Sequence, residues 1–338
     1  MRNVHELDQF MTTPNGPLIE MMKRIPGDFL ILGAGGKMGV SLATLAKRSA
    51  EEAGAKKKVV AVSRFSDAAA LEQLTWAGVE TISCDLMNES NVLNLPDAEN
   101  VVYMVGMKFG STNREAETWA VNAYLPGLIA RRFRRARFAV FSSGNVYPLT
   151  SVESGGCREK EPVGPIGEYA QSVLGRERIF EYFSQKYQIP CSIIRLNYAI
   201  DLRYGVLHDV AQKVFARKPL SLAMGYVNVI WQGDANSMAL RSLEFAKAPP
   251  FILNVTGLEI VSIRKLAERF GELFKITPVF EGTEAETALL SDATLCSDLF
   301  GVPSVRLEEM IRWTAFWVQE GLPDLAKPTH FETRDGKF

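Results

Sequence analysis

The chain has 338 residues, of which 47% are hydrophobic and 23% are charged, with a formal net charge of −1 at pH 7. This composition predicts a globular protein with one large or two ordinary domains. The near-neutral charge favours neither nucleic acid nor a membrane surface as a partner. Four scattered cysteines and three histidines argue against disulfides and against a metal site.

The N-terminal residues 1–27 mix charged residues with Pro14 and Asn15, and they lack the basic segment and apolar run of a secretory leader. We interpret them as an N-terminal arm. No apolar run in the sequence approaches the ~20 residues that a membrane span needs. These features predict a soluble cytoplasmic protein.

A glycine-rich turn follows the first apolar run. Phe29–Leu32 predicts a buried strand and Ser41–Ala53 predicts a helix, with glycines at three-residue spacing between them. A strand that turns on glycines into a helix lets backbone N–H groups and the positive helix end approach a pyrophosphate. An ordinary βα turn is the alternative. The predicted dinucleotide contacts are Gly33, Gly35, Gly36, Lys37, Met38 and Gly39.

The second predicted strand, Lys58–Ser63, ends where a dinucleotide-binding fold meets the adenosine ribose. An acidic residue there would accept a hydrogen bond from the ribose 2′-hydroxyl, whereas an arginine suits a 2′-phosphate. Arg64 follows this strand, and Lys37 is expected to add a second positive charge nearby. The sequence therefore favours NADP over NAD, with a solvated Arg64 as the alternative.

Strands and helices alternate through the next part of the chain, which predicts a parallel, doubly wound α/β sheet. The predicted elements are strands Glu80–Cys84, Asn100–Val105, Arg137–Phe141 and Cys191–Leu196 and helices Asp67–Trp76, Asn113–Arg134 and Glu168–Tyr187. Ligands collect at the carboxyl ends of such strands. Further cofactor contacts are therefore expected at Asp85 and Gly106. Asp85 would accept from the adenine amino group, or would simply open a turn.

After Asn197 the strict alternation fades. The patterns predict strands Val227–Trp231 and Phe251–Val255 and helices Ala235–Phe245, Arg264–Phe274 and Leu307–Gln319. We expect residues 28–200 and 227–257 to form the dinucleotide-binding domain. Residues 201–226 and 258–325 would form a smaller interleaved substrate lobe, and residues 326–338 a C-terminal tail.

Together these motifs resemble the extended short-chain dehydrogenase/reductase superfamily, often described as NAD-dependent epimerases and dehydratases. The resemblance covers residues 29–320 and rests on the order of the glycine turn, Asp85-Leu86, Asn122, the run Ser142–Tyr147, Tyr169 preceded by Pro165, and Asn197. It implies a Rossmann fold and an oxidoreductase or epimerase. The expected reaction takes place at a hydroxyl or carbonyl group of a small carbohydrate-like substrate.

The resemblance also implies roles for individual residues. Tyr169, which would also contact the cofactor, exchanges the proton that accompanies hydride transfer, and Ser143 holds the same substrate oxygen. Asn122 is the third expected catalytic residue, and the resemblance also implies cofactor contacts at Leu86 and Lys108. The alternatives are a packed tyrosine at a helix start and a serine that caps a turn. The expected substrate contacts are Ser143, Asn145, Asn197, Arg203 and His208, of which His208 is equally compatible with a helix-start role.

The sequence departs from the family pattern Tyr-x-x-x-Lys, because Val173 occupies the lysine position. That lysine normally lowers the tyrosine pKa, and an unassisted tyrosine has a pKa of about 10. Tyr169 is therefore better suited to act as a general acid than as a base. Lys108 and Arg176 are candidate substitutes, with Lys108 preferred and Arg176 open to a solvated role. A cofactor-binding protein without turnover, acting as a sensor or scaffold, is the alternative function.

The resemblance finally bears on substrate and assembly. Family members that bind nucleotide-sugars carry an arginine before the penultimate strand, but no arginine occurs between Arg217 and Arg241. This absence favours a smaller polar substrate. Members commonly dimerise through helices equivalent to Asn113–Arg134 and Glu168–Tyr187, so we expect a homodimer.

Overall fold

The structure is a computed structural model that describes residues 1–108, 112–327 and 329–337; Pro328 and Phe338 of the predicted tail lie outside the described residues. Its principal strands are β1 (Phe29–Leu32), β2 (Val59–Ser63), β3 (Glu80–Ser83), β4 (Asn100–Tyr103), β5 (Arg137–Ser143), β6 (Cys191–Leu196) and β7 (Phe251–Val255). They form one seven-stranded sheet in the order β3-β2-β1-β4-β5-β6-β7. All neighbouring pairs are parallel. The predicted doubly wound Rossmann fold is confirmed.

The burial of the strands follows their position in the sheet. Every residue of β1 and β4 is buried, as expected for central parallel strands covered by helices on both faces. Strand β3 lies at the edge, where Glu80 and Ser83 are exposed. The strand order reverses between β1 and β4, and this switch point is where open α/β sheets bind their ligands.

The helices surround this sheet and extend into the smaller lobe. They are α1 (Val4–Met11), α2 (Gly16–Arg24), α3 (Gly39–Glu52), α4 (Ala68–Trp76), α5 (Glu89–Leu93), α6 (Glu115–Trp119), α7 (Leu125–Arg132), α8 (Gly167–Tyr187), α9 (Val206–Phe215), α10 (Gln232–Arg241), α11 (Ile263–Phe274), α12 (Thr294–Phe300) and α13 (Leu307–Gln319). None of the described helices combines the length and apolar character that crossing a membrane requires.

The single helix expected at Asn113–Arg134 is divided in the structure. A π-helical turn, Ala120–Tyr124, joins α6 to α7 and contains the buried Asn122. Such turns often occur at functional sites, because the extra residue in the turn redirects the side chains around it. The amphipathic pattern of the sequence does not distinguish this local widening from a regular helix.

The first 27 residues, predicted as an arm, contain the helices α1 and α2. Leu7 and Met11 of α1 are buried in the apolar core of the smaller lobe. Leu18, Met21 and Met22 of α2 are buried in the core on one face of the sheet. The N-terminal segment therefore contributes to two apolar cores.

The smaller lobe is built on α9, α11 and α13, with Trp231, Phe270 and Trp317 buried in its core. The continuous strand expected at Val227–Trp231 is wrong, since the chain forms two short bridges on either side of Asn228. The Asn228 side chain donates to Glu259 O and accepts from Ser291 N. These long-range contacts stabilise the interruption between the two short strands.

Candidate active site

The glycine turn lies where β1, β4 and α3 meet. Gly33 has a φ of +90°, and a Cβ there would lie 2.8 Å from Val105 N. A Cβ on Gly35 would lie 2.7 Å from Ser63 Oγ. Gly36 is exposed. The turn thus has no room for a Cβ at Gly33 or Gly35 and is exposed at Gly36, which fits a dinucleotide pyrophosphate.

The predicted adenosine contacts follow β2 and β3. Arg64 is exposed directly after β2. Asp85 is exposed after β3, and its Oδ1 accepts a hydrogen bond from Met87 N at 2.9 Å. Asp85 thus opens a turn through this oxygen, and its contact with the adenine amino group stays a prediction. Leu86 is buried beside it.

Lys37 does not point toward Arg64, which corrects the sequence-based expectation. Its ammonium lies over the ring of Tyr204, just before α9. Burial, followed by repulsion from Lys108, lowers the pKa of Lys37 to about 6. The other charges that act on this ammonium are those of Lys327, Asp201 and Asp209. Arg64 alone remains as a partner for a 2′-phosphate.

Replacing Lys37 by Met is expected to stabilise the fold. Between about pH 10 and pH 6 the unfolded chain binds a proton at this lysine and the folded chain does not, so stability falls as the pH falls through that window. The variant should raise the melting temperature by about 2–4 °C at the acidic end of the window. Calorimetry across this pH range measures the effect.

The matched control is Lys56→Met, in the exposed loop before β2. Its melting temperature should follow that of the wild type at every pH. Equal shifts in both variants, or a lower melting temperature for Lys37→Met, would contradict the assignment of a disfavoured ammonium at Lys37.

Tyr169 and Ser143 lie side by side, with their side chains hydrogen-bonded. Ser143 Oγ also accepts from Asn145 N at 3.2 Å. Burial raises the pKa of Tyr169, although the charge of Arg176 and the Ser143 hydrogen bond oppose this effect. The phenol therefore stays protonated at neutral pH and is suited to donate a proton.

The position of the missing lysine is filled by apolar packing. Val173 is 1% exposed and belongs to a small apolar cluster with Val146, Tyr147 and Cys157, against which Tyr169 packs. An ammonium at this position would be buried among apolar groups, and its solvation loss would be large. A cation that assists Tyr169 would therefore have to come from another position.

Arg176 lies on the next turn of α8 and is 5% exposed, so a solvated role for this residue is wrong. Its guanidinium donates to Phe141 O and to Asn122 Oδ1, both at 2.7 Å. Its charge lowers the Tyr169 pKa. Lys108 Nζ lies 5.9 Å from the centre of the Tyr169 ring. Lys108 and Arg176 therefore both remain candidates for the assisting cation, and Arg176 is the one whose charge acts on the Tyr169 phenol.

Lys108 also lies with Lys37 on the cavity side of the site. Burial lowers the pKa of Lys108 to about 8, against the opposing charge of Asp209 on α9. Lys108 and Lys37 repel each other. At neutral pH Lys37 is therefore largely uncharged in the folded protein, and the positive charge on this side of the site is that of Lys108, which Asp209 partly offsets.

Asn122, predicted as catalytic, holds the loop after β4. Its Oδ1 accepts from Met107 N at 2.9 Å and from Arg176, and its Nδ2 donates to Met107 O at 3.0 Å and to Ser172 Oγ at 2.9 Å. A Cβ on Gly106 would lie 2.8 Å from Arg176 Nη2. Because the protein satisfies both polar atoms of Asn122, the structure assigns it a positioning role.

A cavity of 140 Å³ opens beside Ser143. Of the predicted residues, it is lined by Lys37, Met38, Lys108, Ser143, Asn145 and Asn197. It is also lined by Tyr204, which the sequence suggested as a contact after the sixth strand, and by residues that sequence reasoning missed, namely Leu196, Tyr198, Ala199, Gly205, Val206, Gln232 and Thr329. Most of these follow β6, where an open α/β sheet places ligand contacts. Gln232 and Thr329 are brought in by tertiary packing and carry no local signal.

Arg203 and His208, predicted as substrate contacts, do not line this cavity. Arg203 forms ion pairs with Asp201 at 2.7 Å and with Asp8 at 3.0 Å, and so attaches α1 to the segment after β6. His208 is buried on α9, with its Nε2 3.8 Å from Asp324 Oδ2. Both residues therefore support the lobe rather than the substrate.

A buried ion pair lies behind the site. Glu177 on α8 and Arg195 on β6 are 2% and 3% exposed and pair at 2.8 Å. Ser142 Oγ donates to Glu177 at 2.5 Å, and Arg195 donates to Tyr147 OH at 2.8 Å. This network connects the helix that carries Tyr169 to the strand that carries Ser143.

The doubly wound sheet, the glycine turn and the Tyr169–Ser143 pair define a member of the extended short-chain dehydrogenase/reductase superfamily. Within it, the chain belongs to the NAD dependent epimerase/dehydratase family, whose profile matches residues 29–200. A search among curated proteins finds no match by sequence.

Solved structures of similar fold include three sugar-nucleotide enzymes. UDP-glucose 4-epimerase from Thermotoga maritima is 16% identical, with a TM-score of 0.71 over 87% of this chain and 99% of its own. dTDP-glucose 4,6-dehydratase from Bacillus anthracis, in complex with NAD, is 15% identical, with a TM-score of 0.72 over 87% and 96%. UDP-glucuronic acid 4-epimerase from Bacillus cereus, also with NAD, is 16% identical, with a TM-score of 0.70 over 87% and 99%. At these identities the likeness concerns the fold.

Proposed function

We propose that the protein is an NAD(P)-dependent oxidoreductase or epimerase that acts on a hydroxyl or carbonyl of a small carbohydrate-like substrate. The observation that carries this proposal is the hydrogen-bonded pair of Tyr169 and Ser143 beside a cavity and near a glycine turn. A bound nicotinamide supplies or accepts hydride. The chain's own residues hold the substrate oxygen at Ser143 and exchange its proton at Tyr169.

The protonation of Tyr169 favours one direction of the reaction. Burial raises its pKa, so the phenol is a proton donor at neutral pH and a poor base. This supports reduction of a carbonyl more strongly than oxidation of a hydroxyl. The alternative, a cofactor-binding sensor or scaffold with impaired turnover, draws support from the apolar Val173.

The cavity favours a small substrate. Its volume is 140 Å³, whereas pockets for drug-sized ligands measure about 300–1,000 Å³. Several of its lining groups offer hydrogen bonds to a polyhydroxylated compound, among them the side chains of Asn145, Asn197 and Gln232. A free sugar, a sugar acid or another small carbonyl compound fits these features better than a nucleoside-diphosphate sugar.

The glycine turn and the neighbouring strand ends would hold the cofactor. The residues proposed for this role are Gly33, Gly35, Gly36, Met38, Gly39, Arg64, Asp85, Leu86, Gly106, Lys108 and Tyr169. We infer NADP rather than NAD from Arg64, which follows β2 where the ribose 2′-position is met. Of the two cations that the sequence predicted near the 2′-phosphate, Arg64 alone supports NADP, because the Lys37 side chain points into the cavity.

Arg64→Ala is expected to weaken NADPH binding by about tenfold, the effect of losing one charge-assisted contact to phosphate. NADH binding should change by less than about twofold, since NADH has no 2′-phosphate. Titration of nicotinamide fluorescence measures both affinities. Equal losses for the two cofactors, or no loss for NADPH, would argue for NAD or for a solvated Arg64.

The enzymatic proposal is tested by combining cofactor binding with turnover. NADPH fluorescence first establishes that the purified protein binds cofactor. Loss of nicotinamide absorbance is then followed with aldoses, ketoses and sugar acids, and the recovered sugars are examined for epimers, because epimerisation leaves the absorbance unchanged. Turnover of at least one compound supports the oxidoreductase. Tight NADPH binding without turnover of any compound favours the sensor or scaffold.

We also propose a homodimer formed through α6, α7 and α8. Three aromatic side chains on these helices and on the π-helical turn between α6 and α7 are exposed, with exposed fractions of 37% for Trp119, 53% for Tyr124 and 54% for Tyr182. Exposed aromatic residues are enriched at protein interfaces. Tyr182→Arg should therefore shift the protein to a monomer in sedimentation, whereas Trp76→Arg, on α4, should leave the dimer intact. A monomeric wild type would contradict the proposal.

A further inference from the structure

The C-terminal segment 329–337, here called the C-terminal strap, forms part of the substrate cavity. Thr329 lines that cavity together with Ser143. Thr329 donates from its backbone N and its Oγ1 to Asp209 Oδ2, at 2.8 and 2.5 Å. Asp209 in turn lines a second cavity of 540 Å³ between α9, the end of α13 and the strap. The Thr329–Asp209 contact therefore separates two cavities.

The strap is anchored along its length. Phe331 is 2% exposed in the core of the smaller lobe. Arg334 donates to Thr287 O and Thr287 Oγ1, both at 2.7 Å, and to Ala223 O at 3.0 Å. These contacts hold the strap against the smaller lobe.

The strap ends at the helix that carries Tyr169. A Cβ on Gly336 would lie 2.8 Å from Gly167 Cα, and a Cβ on Gly167 would lie 2.6 Å from Gly336 O. Gly167 is the first residue of α8 and has a φ of +82°. The backbone of the strap thus packs directly on the start of α8. A segment in this position spans the substrate side of the site from α9 to the catalytic tyrosine.

We propose that the C-terminal strap is a specificity-determining wall that confines the substrate cavity to small polar compounds and excludes substrates carrying a nucleoside diphosphate. The exclusion of nucleoside diphosphates rests on the proposed function, because it concerns the substrate of that reaction. The restriction of cavity size does not rest on it. Because Thr329 lines the cavity of 140 Å³ and Asp209 lines the one of 540 Å³, we expect the two cavities to join when this contact opens.

Thiol labelling inside the cavity tests the restriction of size without turnover. Ser143→Cys places a thiol in the cavity, and Cys84→Ala removes the cysteine that is partly exposed. Labelling by iodoacetamide and by a fluorescein maleimide is compared, with each rate divided by that of the exposed reference Ser66→Cys. The normalised rate for iodoacetamide should exceed that for the maleimide by about tenfold or more, since only local opening admits the bulky reagent.

Strap variants should then remove this selectivity. Thr329→Val and Arg334→Ala are each expected to raise maleimide labelling by about tenfold, the population change produced by losing a hydrogen bond to a charged group. Thr329→Ser keeps the hydroxyl and should label like the wild-type strap. Lys337→Ala, whose exposed side chain pairs only locally with Asp335 among the described residues, is the matched control and should have no effect. Circular dichroism checks that each variant is folded.

The outcomes separate the two proposals. Equal normalised rates for the two reagents in the intact protein, or unchanged maleimide labelling in both strap variants, would contradict the proposal that the strap restricts the size of the cavity. Size-selective labelling in a protein that reduces no compound supports the wall and counts against the proposed function alone. Where turnover is found, Thr329→Val should raise KM for the small substrate by about tenfold while Thr329→Ser should not.

Discussion

Tyr169→Phe is expected to lower the rate of NADPH-dependent carbonyl reduction by about 10²–10⁴-fold, the usual contribution of a positioned general acid. The variant keeps the ring that packs on Val173, so the fold should be retained. NADPH affinity should change little, because the glycine turn is untouched. Tyr187→Phe, at the far end of α8, is the control and should retain full activity.

The pH profile gives this prediction a second readout. Because burial raises the pKa of Tyr169, the rate of reduction should remain level up to a pH above the ordinary tyrosine value of about 10. A fall in the rate near neutral pH that is lost in the phenylalanine variant would show that the tyrosine is activated as a base. An unchanged rate in Tyr169→Phe would remove the tyrosine from the mechanism.

Arg195→Met is expected to reduce the free energy of unfolding by about 3–5 kcal/mol, because it leaves the carboxylate of Glu177 buried without its partner. The pair is almost completely buried, and its donors and acceptors are met by Ser142 and Tyr147. Equilibrium unfolding in urea measures the loss. The double variant with Glu177→Gln should recover a large part of it, since the unpaired charge is then removed.

The exposed pair of Arg178 and Glu181 on the same helix is the matched control for this experiment. Arg178→Met should change the free energy of unfolding by less than about 1 kcal/mol. A comparable loss in both single variants would indicate a general effect of removing charge from α8. A double variant no more stable than Arg195→Met would contradict the role of the unpaired carboxylate.

Much of the sheet was predictable because its signals are local. The bounds of β1 and β6 agree with the sequence pattern, and β1 is the short apolar run that a central, buried parallel strand requires. The glycine turn was predictable for a related reason, because its backbone geometry at Gly33 and Gly35 tolerates no side chain. The strand at Val227–Trp231 was not, because distant partners of Asn228 interrupt it.

The cavity was less predictable because its walls come from distant parts of the chain. The position of Lys37 on the glycine turn was evident, but the direction of its side chain depends on Tyr204. Arg176 carries no motif, and its burial follows from contacts with Asn122 and Phe141. Thr329 lies more than a hundred residues from its partner on α9.

The proposed function requires hydride transfer from the nicotinamide to the substrate carbonyl, and deuterium transfer measures that step directly. The protein is incubated with a carbonyl compound of the panel and NADPH that carries deuterium at the transferable position of the nicotinamide, and the product is examined by mass spectrometry. We expect deuterium in the product with the wild type and at least about a hundredfold less with Tyr169→Phe. Cofactor binding with no deuterium in any product, or equal incorporation by both proteins, would contradict the proposed mechanism.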